Sequence, residues 1–158
     1  MSTDTDKARQ ILAENQYMTV ATSTNGGKPW ISPVFFAYDD KYNLFWTSNK
    51  DALHSKLIRG NERVAIVVFN SCDLEGTADG VYFEATAAEL SDANDISHAI
   101  QVLSQRIAVD EYKLTSHAQV TGSAAWRIYR AVPNKISKLT KSEHINGQLV
   151  DKRIEIQL

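Results

Sequence analysis

A chain of 158 residues, 43% apolar and 23% charged, is long enough for one domain with a full core and too mixed for a disordered or fibrous protein. Its formal net charge is −2, so no overall basic field draws it to nucleic acid or to a membrane surface. The one cysteine, Cys72, excludes an intrachain disulfide and suits the cytoplasm; no apolar run approaches the roughly 20 residues of a spanning helix, and the opening MSTDTDKARQ has no apolar signal core.

In chain order, residues 5–16 read as an amphipathic helix with Ala8, Ile11 and Leu12 on one side and Thr3 or Thr5 as cap. YMTVATST (17–24) is a strand, Asn25-Gly26-Gly27 a hairpin signal, and 29–38 the return strand, with Pro33 marking an edge or a bulge. Asp39 to Asn43 is a turn whose carboxylate pair, Asp39-Asp40, reads as solvated. A short strand follows at 44–48, then a short basic helix at 51–59 and a β-branched strand at 63–70, apolar enough to be buried on both faces. After a polar loop, 80–90 is a strand. Ser91 or Asp92 caps a helix over 92–107, with Ile96, Ile100, Leu103 and Ile107 at helical spacing, and a second short helix covers 111–116. Residues 123–132 and 134–139 read as two strands, and 149–156 as another beyond an Asn146-Gly147 turn. About seven strands joined by short turns pair antiparallel and tend to close into a barrel in one domain spanning 1–158, with the 92–107 helix outside or across one end.

The stretch from Trp30 to Asn70 carries the chemistry. Thr47 and Ser48 place hydroxyls at a strand end, and Lys50, His54, Lys56 and Arg59 follow in and before a helix: the parts of a cradle for one phosphate. At helical spacing Lys50 and His54 share a face, whereas His54 and Lys56 diverge by about 200° and so do not grip one phosphate together. Trp30, Phe35, Phe36, Tyr38, Phe45 and Trp46 crowd the two preceding strands, as walls for a planar apolar ligand or as ordinary sheet core. Alternation puts Trp30, Ser32, Val34 and Phe36 on one face and Ile31, Pro33 and Phe35 on the other. Trp126 and Arg127 open a late strand; on their own they read as core and solvent-facing. His54, His98, His117 and His144 show no metal-ligand spacing, no Gly-x-Ser-x-Gly elbow is present, and Gly26-Gly27-Lys28 leads into a strand rather than a helix.

MTVATST, the turn NGGKP, then FWTSNKDALHSKLIRGNERVAIVVF and GVYFEATAAEL together resemble the pyridoxamine 5′-phosphate oxidase-like family of FMN-binding split barrels. The resemblance spans 15–90, with a looser echo at 126–132. It implies a mainly β fold with flanking helices, a six- to seven-stranded antiparallel split barrel that dimerises and holds FMN between its subunits. It places Ser32, Pro33, Val34 and Phe35 along the flavin ring, matches Trp46 and Thr47 to the family's strand-end pair, and brings Trp126 over the flavin from the second subunit. The family's phosphate-gripping Ser-Arg-Lys falls on Ala52-Leu53-His54, and its second-strand arginine on Ser32. These departures speak against pyridoxamine phosphate oxidase activity itself and leave Lys50, His54 and Lys56 as the cations for the phosphate. The implied function is oxidoreduction of a small substrate on FMN. The alternatives are a barrel holding the deazaflavin F420 or haem, and a flavin carrier or sensor without turnover.

Overall fold

The computed structural model describes residues 3–158, position 141 by its backbone alone. Helix α1 (Asp4–Glu14) opens on a capping box: the Thr3 hydroxyl accepts from the Asp6 N–H at 3.1 Å and the Asp6 carboxylate from the Thr3 N–H at 3.0 Å. Its far end is closed by a residue distant in sequence. The Arg106 guanidinium donates to the carbonyls of Leu12 and Asn15 and lies 4.7 Å over the Phe36 ring, a cation where the helix dipole is negative.

Strands β1 (Tyr17–Ser23), β2 (Pro29–Phe35), β3 (Ala37–Tyr38) and β4 (Leu44–Asn49) lead to α2 (Leu53–Gly60). Then come β5 (Arg63–Phe69), β6 (Gly80–Glu89), α3 (Ala93–Arg106), two short 3-10 turns, β7 (Trp126–Ile145) and β8 (Gln148–Glu155). All pairings are antiparallel, in the order β2-β1-β5-β6-β7-β4-β3, with β8 on β7. The sheet curls into a half-barrel, the architecture of a split barrel. Its concave side is filled by Met18, Val20, Phe36, Leu44, Trp46, Val68 and Phe83 against Ala8 and Leu12 of α1 and Ile58 of α2. A second core forms where Ile96, Ala99 and Leu103 of α3 cover Ala37, Phe45 and Ile128, so α3 packs outside the barrel. Among the described residues no helix is long and apolar enough to cross a membrane.

Several expectations need correction. The strand expected over 29–38 breaks at Phe36, whose side chain turns into the core. Its first part, β2, is an edge strand, where Pro33 leaves no bond unmade within the sheet. The two strands expected on either side of Pro133 are one 20-residue strand. Pairing with β6 slips between Ala85–Pro133 and Glu84–Lys135, leaving Asn134 as the extra residue of a bulge, and a bulge tolerates proline. β5 is buried on one face only: Val64, Ile66 and Val68 point inward, while Arg63, Ala65 and Phe69 are exposed. No helix forms over 111–116; the 3-10 turns fall on either side of most of it, at Asp110–Tyr112 and His117–Gln119. Asp39 is not simply solvated. It organises its turn, accepting from the N–H groups of Lys41 and Asn43 and from the Asn43 amide, while Tyr42 takes a φ of 58°. The hairpin at Asn146-Gly147 forms as the dipeptide dictates, with φ of 52° and 79°.

Candidate functional site

The end of β4, the turn after it, the start of α2 and the start of β7 converge. Asn49 pairs with Trp126, and the Lys50 N–H donates to the Ala125 carbonyl at 2.8 Å, clamping the turn against the entry to β7. The Asn49 side chain accepts from the Asp51 N–H at 2.8 Å, a local turn that delays the helix to Leu53. Lys50 therefore stands before the helix, and the shared helical face expected for Lys50 and His54 does not exist. Ala52 occupies the cap position and makes no side-chain hydrogen bond to the first turn. Thr3 and Asp92 cap α1 and α3 with oxygen acceptors; α2 lacks that internal partner.

His54 lies in that first turn. Its Nε2 meets the Ser48 Oγ at 2.8 Å. The ring is half-buried and desolvation holds its pKa below the ordinary histidine value, so it is neutral at pH 7. Ser48 is 95% buried on the concave side of β4, whereas Thr47 points to the opposite side, toward the α3 core. The two hydroxyls expected to act as a pair thus diverge, because successive strand residues face opposite ways.

The other expected residues separate in the same manner. Ser32 faces inward, its hydroxyl accepting from the Trp30 indole at 3.2 Å, and Val34 is buried in the core. Pro33 is exposed on the convex face, and Phe35 sits on that face against Tyr17 at 6.1 Å. Trp46 is fully buried and stacks on Tyr129 at 5.5 Å; its indole N–H has no partner among the described residues. Its ring belongs to the barrel's own packing. Lys56 is exposed on α2, one residue beyond the first turn. Trp126, by contrast, is 54% exposed beside the Asn49–Lys50 turn, available as a wall where core had been the residue-level expectation.

A cluster not visible in the sequence underlies these elements. Glu89, last in β6, accepts from Arg59 of α2 at 3.1 Å, pairs with the Arg127 Nε at 3.2 Å and accepts from the Tyr129 hydroxyl at 3.2 Å. Burial pushes the Tyr129 hydroxyl above the ordinary tyrosine range, and the Glu89 charge acts in the same direction, so the phenol stays a donor. Arg127 is nearly buried, not solvent-facing as its sequence position suggested. The only sequence signal for this cluster was a charged residue at each element end; which ends meet is a matter of register. Beside it, Ile58 to Arg63 and Ala87 to Glu89 line an open cleft of about 590 Å³.

The fold agrees with what the chain is similar to. A family model described as pyridoxamine 5′-phosphate oxidase matches residues 4–138. UPF0306 protein PM1958 from Pasteurella multocida is 24% identical over 143 residues, covering 87% of this chain and 90% of that protein. HutZ, the haem storage protein from Vibrio cholerae, superposes with a TM-score of 0.65 at 16% identity over 81% of this chain and 89% of its own. An FAD-binding protein from Mesorhizobium loti does so with 0.61 at 21% identity over 84% and 91%. The match of the family model, running from α1 through most of the barrel to Lys138 in β7, establishes that the chain belongs to the pyridoxamine 5′-phosphate oxidase family.

Proposed function

We propose that the protein is an FMN-binding oxidoreductase acting on a small substrate in the cytoplasm as a homodimer. The observation that carries the reading is the Ser48–His54 pair at the first turn of a helix without a side-chain cap, with Lys50 beside it. Ser48, His54, Lys50 and the free N–H groups of α2 would hold the phosphate, with Lys56 and Thr47 outside its immediate reach. Trp126 and the edge strand β2 would flank the ring. When bound, the isoalloxazine supplies the redox chemistry, and the protein's task is to hold, orient and shield it. The fit is partial, because the neutral imidazole brings no charge until it gains a proton.

Support for the dimer comes from the convex face of β2-β1-β5-β6. Ile31, Pro33, Ala65, Val67 and Phe69 lie together there on paired strands, Ile31 being 66% exposed, and the Arg153 guanidinium covers the Tyr82 ring at their border. An apolar patch of this kind marks an interface more often than a free surface. Purified protein is expected to carry flavin absorption bands and to release a molecule of FMN mass. Colourless protein that takes up no added FMN would sink the reading.

A second reading is haem. The neutral imidazole of His54 is in the protonation state an axial ligand needs, and a haem storage protein shares the fold. A Soret band, with no flavin bands, would favour it.

A further inference from the structure

We propose that Glu89 is the positioning residue of the candidate phosphate site, its one carboxylate fastening the two arginines that hold the site's walls. Arg59 reaches from Glu89 to the Lys50 carbonyl, to which its second nitrogen donates at 2.7 Å. Arg127 reaches the other way, donating to the carbonyls of Gly122, Ala124 and Trp126, each at 2.7 Å. Those two backbone segments are the ones joined by the Lys50 N–H to Ala125 bond. Turn and β7 entry thus share one anchor, and Tyr129 fixes the carboxylate by a third contact.

The arrangement also carries charge. Two guanidiniums against one carboxylate leave one unit of positive charge just below the turn, at the place where Ala52 and Leu53 supply none. Neither arginine has to touch a phosphate for that field to favour it. Glu89 itself offsets one of those charges, so it acts by positioning: without its carboxylate the positive charge rises but Arg59 and Arg127 lose their common anchor, and the expected loss of affinity is that of the walls they hold.

This role rests on the FMN reading, and one set of measurements separates the two. FMN and riboflavin, which differ by the phosphate, are titrated by fluorescence into wild type, Glu89→Ala and Glu89→Gln. Amide exchange at Lys50 is followed in the ligand-free proteins. Glu89→Ala is expected to weaken FMN about ten-fold or more, riboflavin less than about two-fold, and to speed exchange at Lys50. Glu89→Gln keeps one acceptor oxygen and is expected to fall between, which preserves the test should the alanine variant not fold. Equal weakening of both flavins would show that Glu89 serves only the fold, and unchanged exchange at Lys50 would show that it does not anchor the turn; either overturns the proposal. Wild type that binds neither flavin ends the FMN reading and this role with it. Wild type that binds FMN while Glu89→Ala binds it equally well ends the role of Glu89 alone.

Discussion

At the scale of single residues, His54 carries two opposed requirements. Burial favours its neutral form, and a phosphate favours its cation. In the ligand-free protein the unfolded chain takes up the proton more readily than the folded one. The stability that neutral His54 contributes is therefore complete above about pH 6.5 and is lost as the pH falls through that value toward the lower folded one. Comparing melting temperatures of wild type and His54→Gln from pH 8 to 5 should show the wild-type advantage shrinking with acid; a constant difference would mean the ring is not desolvated as placed. With FMN present, His54→Ala should weaken binding about three- to ten-fold, since one hydrogen bond to a charged group is worth of order 1 kcal/mol or more. Unchanged affinity in a fluorescence titration would remove His54 from the site. The residues named by the sequence were a mixed set for a physical reason. Ser48 and His54 meet at the strand end; Trp126, opposite Asn49, lies on the other face of the strand pair, and Thr47 and Trp46 likewise turn to opposite sides of β4, Thr47 toward α3 and Trp46 into the concave core. Residue type announces hydroxyl, cation or ring; alternation along the strand decides which side it serves.

At the scale of elements, long-range ties decide which helix ends and loops are fixed. Lys138 of β7 is almost wholly buried; it pairs with Asp79 at the end of the 70–79 loop and donates to the Leu139 carbonyl. Removing the carboxylate leaves the buried cation with the Leu139 carbonyl and the more distant Asp4 carboxylate at 3.8 Å, so Asp79→Ala is expected to cost about 3 kcal/mol. Lys138→Met removes the buried charge itself and leaves a carboxylate with access to water, so it should cost about 1 kcal/mol or less. Urea titrations of both variants check the order, and equal losses would contradict it. The cap of α3 is local by comparison: Asp92 accepts from the N–H groups of Asn94 and Asp95, and Asp92→Ala should cost about 1 kcal/mol. That cap was legible, as were α1, α3 and the Asn146-Gly147 turn, because each is set by neighbours within a few residues. The start of α2 was misplaced because the Asx turn at Asn49 and the clamp to Ala125 intervene. The continuous β7 was hidden because Pro133 looks like a strand end until Asn134 supplies a bulge.

At the scale of the whole molecule, the convex sheet face and the strand-end site belong to one assembly in the dimer reading. Ile31→Asp places a charge on the exposed face without touching the core. It should halve the mass seen by light scattering and, because FMN is held between subunits in this reading, weaken flavin uptake as well. A variant that stays dimeric would move the interface elsewhere, and a monomer that still binds FMN normally would put the whole site in one chain.

The sequence by itself determined the family, the antiparallel barrel and most element boundaries. These follow from periodicity, turn residues and capping, which act over short distances, and from an ordered set of strands. Only the tertiary structure decided that Trp46 is core and Trp126 is surface, that Ser48 and His54 form a pair, and that Glu89 ties together Arg59 and Arg127. The physical reason is strand register. Glu89 lies 30 residues from Arg59 in the chain, and side chains so far apart become neighbours only once β6, β7 and β4 are hydrogen-bonded in one particular alignment.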